Sequence, residues 1–104
     1  EIHERLVGSE MCIRDSSNII QKGKEKIFIP KASFTIISTL MDVPHKTVSR
    51  SALVFYLEQA YHHEILDNTL TVHIASIRRL LGDEYIKTHK TVGYFWDFDV
   101  FKVG

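Results

Sequence analysis

The residues with binding chemistry gather between Asp67 and Gly82, in the run DNTLTVHIASIRRLLG. Asn68, Thr69, Thr71 and Ser76 carry short groups that donate and accept hydrogen bonds, Val72 and Ala75 carry small apolar groups, and His73, Arg78 and Arg79 supply cationic or protonatable ones. Such a set recognises a polar surface without bond-making. Other candidates for chemistry fall away. His62 and His63 are adjacent, so they cannot share a helix face, and no partner at i+4 completes a metal set, so they read as a solvated loop. Asp42, Asp67, Asp83 and Glu84 fall at expected helix ends, where carboxylates cap or face water. There is no Gly-rich phosphate loop, no Ser/His/Asp order and no nucleophilic Cys, so neither an enzyme, a cofactor nor a metal is expected.

A helix must position the binding set. At about 100° per residue, Leu70, Ile74, Ile77 and Leu81 share one narrow face, the pattern of a helix laid on a core. The opposite face carries Thr69, Val72, Ala75, Ser76 and Arg79, with Thr71 and Arg78 on one flank and His73 on the other. Asp67 and Asn68 are N-cap types, and Gly82 suits a left-handed residue closing the last turn.

A chain of 104 residues with 44% hydrophobic and 25% charged residues supports one small core. The longest mostly apolar windows, FTIISTLM and SALVFYL, fall far short of the ~20 residues of a membrane helix. One cysteine, Cys12, excludes an internal disulfide and fits a reducing compartment, with the cytoplasm as default. Formal charge is zero, so only local charge bears on a partner.

Residues 1–16 show no clean period, and SEMCIRDS resembles a translated sequencing-adapter read-through; this stretch is expected to be an artefactual or disordered leader, with the domain over 17–104. Without it two bases, Arg5 and Arg14, and four acids, Glu1, Glu4, Glu10 and Asp15, are lost, and net charge moves from zero to +2. A short hairpin follows, with Ile19 and Ile20, a turn at Lys22 to Lys24, and Lys26 to Ile29. Pro30 marks the switch into a helix over Lys31 to Met41 with Phe34, Ile37, Leu40 and Met41 on one face. Ser49 N-caps a second helix, Arg50 to about Tyr61, with Leu53, Val54 and Leu57 inside. Gln59 to Asp67 links it to the third helix. Beyond Gly82 the helical period gives way to a β-hairpin, with Gly93 taking a positive φ or bulge at the return and Tyr94, Trp96 and Phe98 on one face of the returning strand. These aromatics read as core rather than as a stacking platform for single strands. The order is an α+β winged helix-turn-helix: N-terminal hairpin, three-helix core, C-terminal hairpin wing.

From about Ile27 to Trp96 the chain resembles the OmpR/PhoB-type winged-helix effector domain of bacterial response regulators. The resemblance rests on PKxxF at Pro30 to Phe34, VSRxxL at Val48 to Leu53, TxTVHIxxIRRLLG at Thr69 to Gly82 and YIKTxxxVGYxW at Tyr85 to Trp96. It implies a cytoplasmic, non-catalytic transcription factor with an upstream receiver domain, binding tandem double-stranded DNA half-sites as a head-to-tail dimer. In that setting the third helix enters the major groove. Val72 meets a thymine methyl, Asn68, Thr69 and Ser76 reach base edges or backbone oxygens, and His73, Arg78 and Arg79 hold phosphates. The wing tip enters the minor groove, with Lys90 where the family usually inserts an arginine and Lys87 and Thr88 near phosphates. The Gln59 to Asp67 segment stands where the family contacts RNA polymerase.

The chain departs from the family pattern at several points. Ala75 and Ser76 stand where many members have bases, Asn68 replaces an arginine, Thr91 replaces a wing-tip glycine, and Glu58 stands near a usual tryptophan. These departures and the neutral charge keep two alternatives in view: a winged-helix protein-interaction module without duplex binding, and a regulator with a membrane sensor in place of a receiver.

Overall fold

The computed structural model describes residues 4–7, 11–14 and 18–103. In chain order these form β1 (Glu4–Val7), β2 (Met11–Arg14), β3 (Ile19–Lys22), β4 (Glu25–Phe28), α1 (Lys31–Met41), β5 (Val48–Ser49), α2 (Arg50–Tyr61), α3 (Asp67–Leu81), β6 (Ile86–His89), β7 (Gly93–Trp96) and β8 (Val100–Val103). The strands build two antiparallel sheets, one in the order β4-β3-β2-β1-β8 and the other in the order β5-β7-β6. The three helices pack between them. Leu40, Leu53, Leu57, Leu70, Ile74, Ile77 and Trp96 meet in the buried core.

Helix boundaries follow local chemistry. Pro30 precedes α1, and Ser49 Oγ accepts the Ala52 N–H to cap α2 at 3.1 Å. Leu70, Ile74, Ile77 and Leu81 are the buried residues of α3, as the period requires. Its N-cap, however, is Leu66, without a side-chain cap, and Asp67 is the first helical residue. Asp67 gives its carboxylate to Arg50 instead. At the other end the Gly82 N–H donates to Arg78 O, with φ 110° and ψ 161°, so the glycine is needed for its positive φ but leaves in an extended direction. Lys22 of β3 adds a cation there: its Nζ donates to Leu81 O at 2.9 Å and lies 5.1 Å from the Tyr85 ring centre. The link between α2 and α3 is shorter than the Gln59 to Asp67 expected, because Gln59 to Tyr61 stay helical and His62 closes the helix in the left-handed region.

The first strands depart most from expectation. Of the leader expected over 1–16, residues 1–3, 8–10, 15 and 16 lie outside the described residues; the described parts, β1 and β2, join the larger sheet, with Arg5 opposite Ile13 and Val7 opposite Met11. Arg5, Val7, Met11 and Ile13 point inward and are buried. The alternation is real but split into four-residue pieces, too short to stand out as a period. Arg5 crosses to the end of α1, where its guanidinium donates to Asp42 Oδ1 at 3.0 Å and Ser38 Oγ at 2.9 Å. The expected N-terminal hairpin is therefore β3 and β4 of five strands.

The C-terminal hairpin differs from the expected one at its glycine and at its end. Gly93 does not have a positive φ; the left-handed residue at the return is Thr91, at φ 66°. Gly93 is required by contact, since a Cβ there would collide with the Val48 carbonyl and approach Ser49 Cα to 2.9 Å. The returning strand also stops at Trp96, and β8 leaves to pair with β1. Tyr94 and Trp96 are buried, Phe98 packs partly against the core beside Tyr85, and Phe101 is exposed.

One side chain joins α2, α3 and β7. Arg50 Nη2 donates to Asp67 Oδ2 (2.9 Å), Asp67 O (3.0 Å) and Thr71 Oγ1 (2.7 Å), Nε donates to the Asp67 carboxylate (3.2 Å), and Nη1 donates to Tyr94 Oη (2.6 Å). Its backbone N–H reaches Val92 O in the wing turn. The hydrogen bond to Asp67 raises the guanidinium pKa further above its ordinary value, so the charge is permanent.

Two substitutions test this framework. Gly93→Ala should lower the unfolding free energy by roughly 2–4 kcal/mol in chemical denaturation, since strand backbone cannot yield as a flexible side chain would. Arg50→Ala should cost about 1.5–3 kcal/mol and shift the backbone amide resonances of the first turn of α3. Arg50→Lys should restore only a minor part, because an ammonium cannot reproduce the fork.

Candidate nucleic-acid interface

With its apolar stripe buried, α3 turns Asn68, Thr71, Val72, Ala75 and Arg79 outward and exposed, with Thr69, His73, Ser76 and Arg78 partly covered. Val72, a large apolar side chain 61% exposed on a mostly polar face, has no packing role to explain it. The wing stands beside this face: Lys87, Thr88 and Lys90 are all exposed, and the turn at Thr91 and Val92 is closed by the Val92 N–H donating to His89 O at 2.9 Å.

Arg78 fixes the angle between helix and wing. Its Nε and Nη2 donate to Ile86 O at 3.2 and 2.7 Å, and Nη2 also donates to Thr88 Oγ1 at 3.0 Å. Its guanidinium carbon lies 5.8 Å from the Tyr94 ring centre, and that of Arg50 lies 5.7 Å from it, so two cations approach one buried ring. Thr71, Ala75, Arg78, Arg79, Asp83 and Tyr94 line an open groove between helix and wing.

The predicted residues thus divide by what they already hold. Thr71 accepts from Arg50, Thr88 accepts from Arg78, and Ser76 Oγ accepts from Arg79 at 3.1 Å. Arg78 and the two threonines brace the interface. Asn68, Val72, Ala75, Arg79, Lys87 and Lys90 present themselves outward. Asp67, the acid of the first turn, is matched by Arg50, so the positive end of the helix dipole is not offset by an uncompensated carboxylate.

In the sequence Arg50 shows only as the start of a helix and Tyr94 only as a core aromatic. Asp67 lies 17 residues from Arg50 and Tyr94 lies 44 away, so no local spacing links them. Among the described residues no His, Cys, Asp and Glu group could hold a metal ion, and no helix is long and apolar enough to cross a membrane.

Comparison with known proteins agrees with this arrangement. The family model described as "Transcriptional regulatory protein, C terminal" matches residues 23–96. The response regulator protein GraR of Staphylococcus aureus (strain Mu50) is 33% identical over 95 residues, covering 86% of this chain and 41% of GraR. The chain therefore spans about 41% of the length of the curated relatives it matches. Among solved structures, the DNA-binding domain of Escherichia coli CadC superposes with a TM-score of 0.80 at 18% identity, covering 94% of each chain. The DNA-binding domain of the response regulator AdeR, solved in complex with an intercistronic region, superposes at 0.75 with 21% identity, covering 88% of this chain and 98% of that one. By the family match and the winged-helix architecture, the chain belongs to the transcriptional regulatory protein C-terminal family, the OmpR/PhoB-type DNA-binding domains of response regulators.

Proposed function

We propose that this chain is the effector half of a two-component transcriptional regulator and reads double-stranded DNA in a sequence-specific way. The observation that carries the reading is the bracing of an outward α3 face and a cationic wing at one fixed angle through Arg78, Ile86 and Thr88. Recognition, not catalysis, is its chemistry.

In this reading α3 lies in the major groove. Val72 and Ala75 offer apolar contact to thymine methyl groups, and Asn68, Thr69 and Ser76 face base edges or sugar–phosphate oxygens. Arg79 and His73 hold phosphates, while Arg78 and Thr71 act from the braced flank. Lys90 enters the minor groove, and Lys87 and Thr88 flank it. Helix and wing together span two grooves, which a flat interaction module has no need to do. An upstream receiver, when phosphorylated, would pair two such domains head to tail and raise their effective concentration on tandem half-sites. The exposed loop His62 to Leu66, ordered by Glu58 Oε2 accepting the Ile65 N–H, is the surface offered to RNA polymerase. The protein would work in the cytoplasm.

The decisive experiment is fluorescence anisotropy of the full 104-residue chain, since β1 and β2 complete the sheet, with mixed duplex DNA at several salt concentrations. Affinity should fall steeply with salt. Arg79→Ala and Lys90→Ala should each weaken binding to every sequence and reduce the magnitude of the log K against log salt slope by about one. Val72→Ala and Ser76→Ala should leave that slope unchanged and alter base preference by ~1–3 kcal/mol in a selected operator set. A folded chain that binds no duplex at low salt would overturn the DNA reading in favour of a protein-interaction module.

A further inference from the structure

Away from the α3 face, one imidazole ties the loop 42–47 to the base of the wing. His45 adopts the left-handed region at φ 65°, and its N–H donates to Trp96 O at 2.7 Å, carrying the β5–β7 contact past Val48. Its ring lies between two carboxylates of the linker joining β7 to β8: Nε2 is 2.7 Å from Asp99 Oδ1 and Nδ1 is 3.5 Å from Asp97 Oδ1. Ionised carboxylates only accept hydrogen bonds, whereas a neutral imidazole has one donor nitrogen and one acceptor nitrogen. A neutral His45 would therefore turn a lone pair toward one acid and leave two like charges across a single ring. Only the imidazolium donates to Asp99 while turning a positive N–H rather than a lone pair toward Asp97.

The position gives the contact mechanical reach. The loop leads from α1 into β5, the linker leads from the wing into the larger sheet, and Asp97 N–H also donates to Tyr85 O at 2.9 Å. Two residues beyond His45, Thr47 Oγ1 is hydrogen-bonded to Nδ1 of His89, the last residue of β6, at 2.9 Å. The same loop thus touches both wing strands.

We propose that His45, held between Asp97 and Asp99, is a proton-operated clasp: protonated, it ties the loop 42–47 to the β7–β8 linker and stiffens the base of the wing, and on losing its proton it lets the two segments part. The charged and titratable groups around it are Asp97 and Asp99 from the linker, Asp42 and Lys46 from its own loop, with Asp42 engaged by Arg5 of β1, and His89 of β6, which faces Thr47. The hydrogen bond to Asp99 foremost, opposed by desolvation and aided by the charge of both acids, raises the His45 pKa above its ordinary 6.5. A raised histidine value means the clasp is fully present below about 6.5 and is lost as pH climbs through the higher folded value. Acid tightens the wing base and alkali loosens it. The clasp does not depend on what the wing binds.

The test is an NMR titration of the histidine rings with amide hydrogen exchange on the full chain, compared with His45→Asn, which tolerates the left-handed backbone but has no group that titrates, and with Asp99→Asn, which keeps His45 intact. In the native chain His45 should titrate above the free-histidine value, and Asp99→Asn should lower that value. After correction for intrinsic exchange, the Asp97 to Val100 and Lys46 to Ser49 amides should lose protection by about threefold or more between roughly pH 6 and pH 8. In His45→Asn that pH dependence should be absent. An ordinary His45 titration, or equal pH dependence in native and His45→Asn chains, would overturn the clasp. Neither readout requires DNA, so a failure of DNA reading and a failure of the clasp are seen separately.

Discussion

The fork of Arg50 is the constraint on which the functional arrangement depends. A winged helix must hold its exposed helix at a set angle to a two-stranded wing, and two-stranded hairpins are marginal on their own. Arg50 meets that demand by donating at once to the first turn of α3, through Asp67 and Thr71, and to the wing, through Tyr94 Oη, while its backbone N–H reaches the Val92 carbonyl. Because the guanidinium is planar and always charged, five donors leave one plane in fixed directions, and three elements are keyed by one group. It also offsets the negative charge of Asp67 at a helix end that faces outward.

Around that key the remaining contacts act as stops. Arg78 sets the far end of the angle on the Ile86 carbonyl, Lys22 closes the C-terminal carbonyl of α3, and Gly93 lets the β5 backbone come close enough to pair with β7. The outward side chains of α3 and the wing are thereby freed from structural duty. Two kinds of residue coexist on the same surface: Arg78, Thr71 and Thr88, which are committed to neighbours, and Val72, Asn68, Arg79, Lys87 and Lys90, which are not buried by anything in the fold. That division explains how α3 can carry polar and apolar groups outward without loss of core.

The helices were legible in the sequence because each buries a stripe whose period is set by the backbone itself. Leu70, Ile74, Ile77 and Leu81 announce α3 whatever surrounds it, and Ser49 announces the start of α2 through a cap three residues long. The strands were legible in kind but not in partnership. Val7 and Met11, or Ile13 and Ile20, become meaningful only when four-residue pieces are laid side by side, and a pairing between β1 and β8 spans nearly the whole chain. The glycines show the same limit. Gly93 suggested a turn conformation, while its actual task is to avoid Val48, and the left-handed turn residue is the threonine two positions before it.

By itself the sequence determined the three helices, the buried side of α3, the exposed set facing away from it and, through ordered motifs, the winged-helix family. These depend on spacings of three to eleven residues, within which backbone geometry alone decides what faces what. Only the tertiary structure decided that Arg50 holds Asp67 and Tyr94, that Arg78 braces the wing rather than standing free, that residues 4–7 and 11–14 supply two strands, and that His45 sits between Asp97 and Asp99. The side-chain contacts among these are brought together by packing across 8 to 54 positions of chain, a separation over which no local period or cap carries information.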